Sequence, residues 1–228
     1  MSDFFRFPHT PHLAWLGQQP PRDDKVLSPA EAADVLSGPV VVEEKLDGAN
    51  LGFSLGSDGV VRAQNRGHYL VEPLSGQFAK LGHWLALHED RLFDGLGPDL
   101  MAFGEWCAAK HSLEYDRLPD WWLLFDIYDR KMGRFWCANR RNAWAQQHGF
   151  LCVPRLMAGR VSLQALCQMV LQKTSAFRDG ALEGVVVRVD DQGWCATRAK
   201  LVRPDFTQAI GAHWRSRLLE WNTLLSNP

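Results

Sequence analysis

The apolar stretches of this chain pair off across tight turns instead of alternating with helices, and no other feature narrows the fold as much. Residues 51–55 and 60–63 flank Ser57-Asp58-Gly59, a hairpin signal. Residues 182–189 and 194–202 flank Asp190-Asp191-Gln192-Gly193 in the same way. Further strand patterns lie at 40–45, where Val40-Val41-Val42 is a β-branched run, and at 100–106 and 121–128. The regular strand–helix–strand rhythm of a parallel sheet is missing. The expected class is therefore α+β, with antiparallel sheets flanked by helices.

The helices are marked by their ends. Ser28-Pro29-Ala30-Glu31 places a cap, a first-turn proline and a glutamate three after the cap, and Gly38-Pro39 stops that helix. Residues 76–92 carry a looser helical pattern. Asn139 is the expected cap of a helix ended by Gly149. Ser162 caps a helix on which Leu163, Leu166, Cys167, Val170 and Leu171 form one stripe. Residues 207–225 are expected as a last helix, with Ile210, Trp214, Leu218 and Trp221 near one face. Residues 1–27, rich in Pro, His and aromatics, are expected as an irregular segment packed on the body. Without repeats or low-complexity linkers, 1–228 is expected to be one domain.

Charge and cysteine usage exclude some partners. A net charge of −1 does not suit a protein that grips long duplex with its whole surface, though local basic patches suit brief contact with a nucleic-acid end. Ten tryptophans supply core volume and, at some positions, faces for bases. The five cysteines form no CxxC pair, which fits reduced thiols and a cytoplasmic protein. The N-terminus MSDFFRFPHT lacks a basic-then-apolar signal pattern, and no apolar run reaches about 18 residues, so no membrane partner is expected.

Chemistry is carried first by Lys45-Leu46-Asp47-Gly48-Ala49-Asn50. A lysine at the end of a buried strand is partly desolvated, and near cations its pKa falls; the neutral amine is then a nucleophile. Gly48 lets the backbone turn and admit close approach. Further short motifs follow in order: Asn65-Arg66-Gly67, Phe103-Gly104-Glu105-Trp106, Leu124-Phe125-Asp126-Ile127, Glu183-Gly184-Val185-Val186-Val187-Arg188, and Arg198-Ala199-Lys200-Leu201.

From about residue 43 to residue 200, this ordered set resembles the motifs of the covalent nucleotidyltransferases: ATP-dependent DNA ligases, RNA ligases and mRNA capping enzymes. The Glu44-Lys45-x-x-Gly48-Ala49-Asn50 form, and His111-Ser112-Leu113-Glu114-Tyr115 after the third motif, are most similar to RNA ligases of the RNA ligase 2 type. The resemblance implies the ATP-grasp-like ligase fold. It also implies that Lys45 takes AMP covalently from ATP, passes it to a 5′-phosphate end of RNA, and releases it when a 3′-hydroxyl attacks. Lys200 is then the cation at the α-phosphate, which would also lower the pKa of Lys45. Arg198 stands where the family often has a second lysine, keeping the charge but not the geometry. Glu183 is the implied ligand of Mg²⁺ or Mn²⁺. Glu105 and Arg66 would contact the ribose hydroxyls and Phe125 would stack on adenine. Glu44 would help to read adenine and Asp47 would orient the Lys45 loop. His111 and Tyr115 would line the phosphate or RNA side or serve structure, and His9 and His12 are expected to pack.

Only 28 residues follow Lys200, so no OB-fold or separate C-terminal domain is expected within the chain, and an accessory protein could supply end-binding. Two other readings stay open: a minimal DNA ligase, and a module that binds ATP or an RNA end without sealing.

Overall fold

The computed structural model describes residues 4–18, 25–209 and 219–225. Helix α1 (Pro29–Val35) begins on the expected capping box, with Ser28 Oγ accepting from Glu31 N and Glu31 reaching back to Ser28 N. Strands β1 (Val40–Lys45), β2 (Ala49–Leu55) and β3 (Val61–Gln64) follow. A 3-10 turn at Gly76–Phe78 leads into α2 (Leu81–Leu96). Strands β4 (Leu100–Trp106), β5 (Trp122–Asp129) and the short β6 (Arg134–Phe135) come next, then α3 (Ala138–His148), β7 (Arg155–Gly159) and α4 (Leu163–Gln172). The hairpin β8 (Gly184–Asp191) and β9 (Trp194–Val202) precedes α5 (Pro204–Ala209).

Every strand pairing is antiparallel, in two sheets of order β7-β1-β8-β9 and β3-β2-β4-β5-β6. The expected α+β class with antiparallel sheets is the class observed. Strand alternation gives each sheet an apolar outer face. Val40, Val42, Val185, Val187, Ala199 and Leu201 of the first sheet bury against α1 and α4 through Ala32, Val35, Leu166 and Val170. Leu51, Phe53, Ala102, Trp106, Trp122 and Leu124 of the second sheet bury with Trp84, Leu92 and Leu96 of α2 and Trp144 and Ala145 of α3. Phe53 and Trp84 stack at 5.4 Å, and Trp122 meets Phe53 edge-on at 5.1 Å. Most tryptophan volume is thus spent on this layer.

Several local expectations shift. The cap of α3 is Cys137, whose Sγ accepts from Arg140 N; Asn139 lies inside the first turn and its Oδ1 accepts from Arg155. Strands β6 and β7 were not expected. Beyond Lys200 the helix is Pro204–Ala209, and Ile210, Trp214 and Leu218 fall outside the described residues. Residues 219–225 are not helical as expected but extended: Trp221 bridges Ala109 and Leu224 bridges Leu118. Their backbone groups pair with a neighbouring segment, which offers them more partners than one further helical turn would. Among residues 4–18 and 25–27 only isolated bridges form, His12 pairing with Val26 and with Lys200 of β9. Among the described residues no helix is long and apolar enough to cross a membrane.

Candidate active site

The inner faces of the two sheets carry the charged side chains that line the site. Cross-strand partners share a side, and the rows are Val41–Arg188–Arg198, Glu43–Val186–Lys200 and Lys45–Gly184–Val202. Glu43, Lys45, Arg188, Arg198 and Lys200 therefore share one face. Opposite stands the inner face of the second sheet, with Asn50 across from Glu105 and Phe103 across from Asp126. A cavity of about 460 Å³ lies between them, lined by the charged residues just named, by Asn50, and by Arg66, Phe125 and Phe7 among others. That volume falls in the range of small-molecule sites, ~300–1,000 Å³.

Phe125 enters the cavity through a β-bulge. The partners of Phe103 and Gly104 are Asp126 and Leu124, so Phe125 is the extra residue and its ring is re-aimed. It meets Phe7 edge-on at 5.3 Å.

Lys45 closes the last row of β1, and its Nζ donates to both oxygens of Glu183, at 2.7 and 2.8 Å. Its side chain is 27% exposed, toward the cavity. The turn after it is clamped from three sides. Asp47 Oδ2 accepts from Ser112 N and Leu113 N, both at 2.7 Å. Tyr115 Oη accepts from Asp47 N at 2.8 Å, and Glu105 Oε1 accepts from Gly48 N at 3.0 Å. A Cβ on Gly48 would stand 2.5 Å from Trp106 O, and one on Gly184 2.3 Å from Leu201 O. Both glycines are thus required by close backbone approach.

Three carboxylates surround one ammonium here. Burial works against the charge of Lys45, but Glu183, Glu105 and Asp47 outweigh it and hold the lysine above its usual range. Burial pushes Glu183 up to about 8 and Glu105 up to about 7, each against the pull of Lys45. Both partners of one ion pair move upward for different reasons: Glu183 chiefly through burial, and Lys45 through the carboxylates around it. The expected neutral lysine under a cation's influence is therefore corrected for this state: the groups that set its charge are carboxylates, and the amine keeps its proton.

The remaining expected residues divide. Lys200 lines the cavity, its strand tied to the N-terminal segment by Lys200 N to Pro11 O and Leu13 N to Lys200 O. Arg66 lies exposed on the cavity lining. Arg198 also lines the cavity, but it pairs with Asp126 Oδ2 at 3.1 Å and stacks over Phe135 at 4.1 Å and Phe7 at 4.8 Å. Glu44 is set on the side opposite Lys45 by strand alternation; its Oε2 accepts from Ala176 N at 3.0 Å, and burial raises its pKa. Its carboxylate braces the 175–177 loop. Tyr115, fully buried, belongs to the clamp, and His111 Nε2 lies 2.7 Å from Gln77 Oε1. His9 lines the cavity while His12 packs edge-on against Trp15.

Two contributions escaped the sequence reading. One is the N-terminal segment, which brings Phe7, His9 and Thr10 to the wall; nothing in its pattern announces this. The other is the charged floor. Arg141 of α3 donates to Glu43 at 2.5 and 3.1 Å and to Phe125 O at 2.6 Å. Arg188 donates to Asp126 at 2.7 Å and to Trp136 O at 3.1 Å. All four side chains are buried. This network ties the two sheets and α3 together beneath Phe125. Its signal was present: Glu43, Asp126 and Arg188 interrupt apolar strands where an outer-face pattern would not allow a charge.

A family model described as RNA ligase matches residues 38–202. No curated protein matches the chain. Among solved structures, the Naegleria gruberi RNA ligase with PPi is similar with a TM-score of 0.62 at 18% identity, over 81% of this chain and 55% of that one. An arginine-to-alanine variant of that ligase, with ATP and Mn, gives 0.65 at 16% identity, over 93% and 60%. A lysine-to-methionine variant, with AMP and Mn, gives 0.58 at 18%, over 89% and 63%. At such identity the likeness is one of fold, and this chain spans 55 to 63% of the length of those proteins.

Proposed function

The chain belongs to the RNA ligase family, and we propose that it is an ATP-dependent RNA ligase whose Lys45 carries AMP. The observation that bears most weight is the Lys45–Glu183 pair at 2.7 Å, beside the clamped Asp47–Gly48 turn, with Lys45 on the wall of a nucleotide-sized cavity. In the proposed first step Lys45 loses its proton, Nζ bonds to the α-phosphorus of ATP, and the bond to the pyrophosphate breaks. A 5′-phosphate oxygen then bonds to that phosphorus as the Nζ–P bond breaks. Last, a 3′-hydroxyl attacks the 5′-phosphorus and AMP leaves. Each step is a phosphoryl or nucleotidyl transfer, so one set of positioned charges serves all three.

In this reading Lys200 faces the α-phosphate, Phe125 and Phe7 offer aromatic surface to the adenine, and Glu105 with Arg66 meet the ribose. Arg198, already paired with Asp126, serves the wall of the pocket more than the phosphate. Glu183 is an oxygen donor beside a surplus of carboxylates, which fits a hard divalent cation. Mg²⁺ or Mn²⁺ would be held there by Glu183, with water and phosphate oxygens completing the shell. Bound there, the ion would neutralise phosphate charge and take from Lys45 the carboxylate that holds its proton. The ATP and Mn of the Naegleria gruberi ligase structures accord with this chemistry.

The test is transfer of label from α-³²P-ATP with Mg²⁺. The wild-type chain should acquire AMP in an alkali-stable, acid-labile bond, as a lysine phosphoramidate requires, and Lys45→Ala should acquire none. Label that survives the substitution would show that another residue is the nucleophile.

A further inference from the structure

A 3-10 turn on the rim of the cavity carries a glutamine that none of the proposed steps uses. The turn, Gly76–Phe78, precedes α2 and opens on Gly76 at φ +57, a conformation that favours glycine. Phe78 is buried in the apolar layer, and Trp106 Nε1 donates to Gln77 O at 2.8 Å. The backbone of the turn is thus fixed, and the Gln77 side chain lies half-buried on the cavity wall.

One bond orients its amide. His111 Nε2 lies 2.7 Å from Gln77 Oε1. Burial pushes the His111 pKa below its usual value; Asp47 pulls it back up and Lys45 pushes it further down. The ring is therefore neutral at neutral pH and carries one N–H. A carbonyl oxygen can only accept, so that hydrogen sits on Nε2. With Oε1 taken, the other end of the amide, with its two N–H donors, turns away from the imidazole on a side chain whose open side is the cavity.

The place of these donors follows from their neighbours. His111 precedes Ser112 and Leu113, whose N–H groups hold Asp47, just past Lys45. Trp106, which holds Gln77 O, also brings its own carbonyl against Gly48. Gln77 thus stands beside the turn that follows the nucleophile. Lys45, Arg66 and Glu105 line the same cavity with charge. A neutral donor among them meets an anionic oxygen without altering their balance.

We infer that Gln77 binds a phosphate oxygen beside Lys45 through its amide N–H groups, and that His111 is the positioning residue that aims the amide there. Resting on the ligase reading above, this adds a neutral side chain to the groups that meet the phosphates. The oxygen belongs to the α-phosphate of the adenylate or to the 5′-phosphate of the RNA, which share this chemistry.

The test turns on Gln77→Glu. This change keeps the shape and leaves an oxygen for His111, but puts a second oxygen where the donors were. A role confined to the His111 bond would cost nothing. Phosphate binding should cost roughly tenfold to a hundredfold, as for a lost hydrogen bond to a charged group, and Gln77→Leu should show a loss as well. Three readouts on the full chain locate it: single-turnover AMP labelling, transfer from preformed enzyme–AMP to 5′-phosphorylated RNA, and equilibrium binding of ATP and of that RNA. Loss in both labelling and transfer assigns the α-phosphate. Loss in transfer alone, with weaker RNA binding, assigns the 5′-phosphate. His111→Ala should share the loss and add nothing in a Gln77→Leu background, while His111→Gln, which places an N–H at the same point, should retain most of the rate. Additive losses would overturn the role given to His111. Wild-type rates and affinities in Gln77→Glu, at an unchanged urea midpoint, would overturn the phosphate contact and leave the ligase reading standing. A wild-type chain that takes no AMP, yet loses ATP or RNA affinity on Gln77→Glu, would sink the ligase reading and support the contact.

Discussion

At the scale of single residues, the telling feature is a lysine that must lose a proton its surroundings help it keep. Glu183, Glu105 and Asp47 hold Lys45 above its usual range, while Glu183 and Glu105 titrate near 8 and 7. As pH rises, the fraction of free amine grows by about tenfold per unit while pH stays below the lysine's pKa. Over the same window Glu183 ionises, which strengthens binding of a divalent cation. Both changes have one sign. The rate of AMP transfer should climb steeply from pH 6.5 to 8.5, and raising Mg²⁺ should move the rise to lower pH. Single-turnover labelling across pH at two Mg²⁺ concentrations checks this; a flat profile would contradict it. Lys45 could be singled out from residue order, because the chemistry is local to Lys45-Leu46-Asp47-Gly48. Its charge state could not, because the carboxylates that set it lie up to 138 positions away.

At the scale of elements, the site is held by a segment that reads as a helix in sequence and is not one. Asn222 is buried, its Nδ2 donating to Cys107 O at 2.8 Å and Ala109 O at 3.2 Å, and its Oδ1 accepting from Tyr115 N at 2.8 Å. Thr223 N also donates to Tyr115 O. The 107–118 stretch held in this way carries Ser112, Leu113 and Tyr115, the three residues that grip Asp47. Asn222→Ala should leave buried backbone groups unpaired, at about 1–3 kcal/mol each. It should lower the urea midpoint and slow AMP transfer while leaving the affinity for ATP nearly unchanged, because the clamp positions Lys45 and does not touch the nucleotide. Equal transfer rates in the two proteins would refute the link. The helix expected over 207–225 gives way at 219–225, where pairing with a distant loop outweighs local periodicity. Caps and turns were readable for the opposite reason: the capping box at Ser28 and the Ser162 cap are satisfied within three residues.

At the scale of the whole molecule, two sheets present charged faces to each other, and that arrangement stands only because the charges are paired. Arg141 with Glu43, and Arg188 with Asp126, join β1, β8, α3 and β5 at the cavity floor. Removing one partner strands the other without water, at about 3–5 kcal/mol. Arg141→Met should lower the unfolding free energy by that amount in urea titration and loosen the grip on Phe125 O. The double change Arg141→Met/Glu43→Met should recover much of the loss; if it does not, the cost arises from packing and not from a stranded charge. The amino-acid order by itself determined the pairing of strands into antiparallel sheets, the helix starts, and the motifs that carry the ligase resemblance, because each is encoded by neighbours along the chain or by a two-residue period. Only the tertiary structure decided that the N-terminal segment forms a wall, that Glu44 turns away from Lys45, that Arg198 is committed to Asp126, and that Arg134 and Arg140 meet on one indole. These depend on which faces meet and on where a bulge shifts the register, and such choices are settled by contacts between residues far apart in sequence.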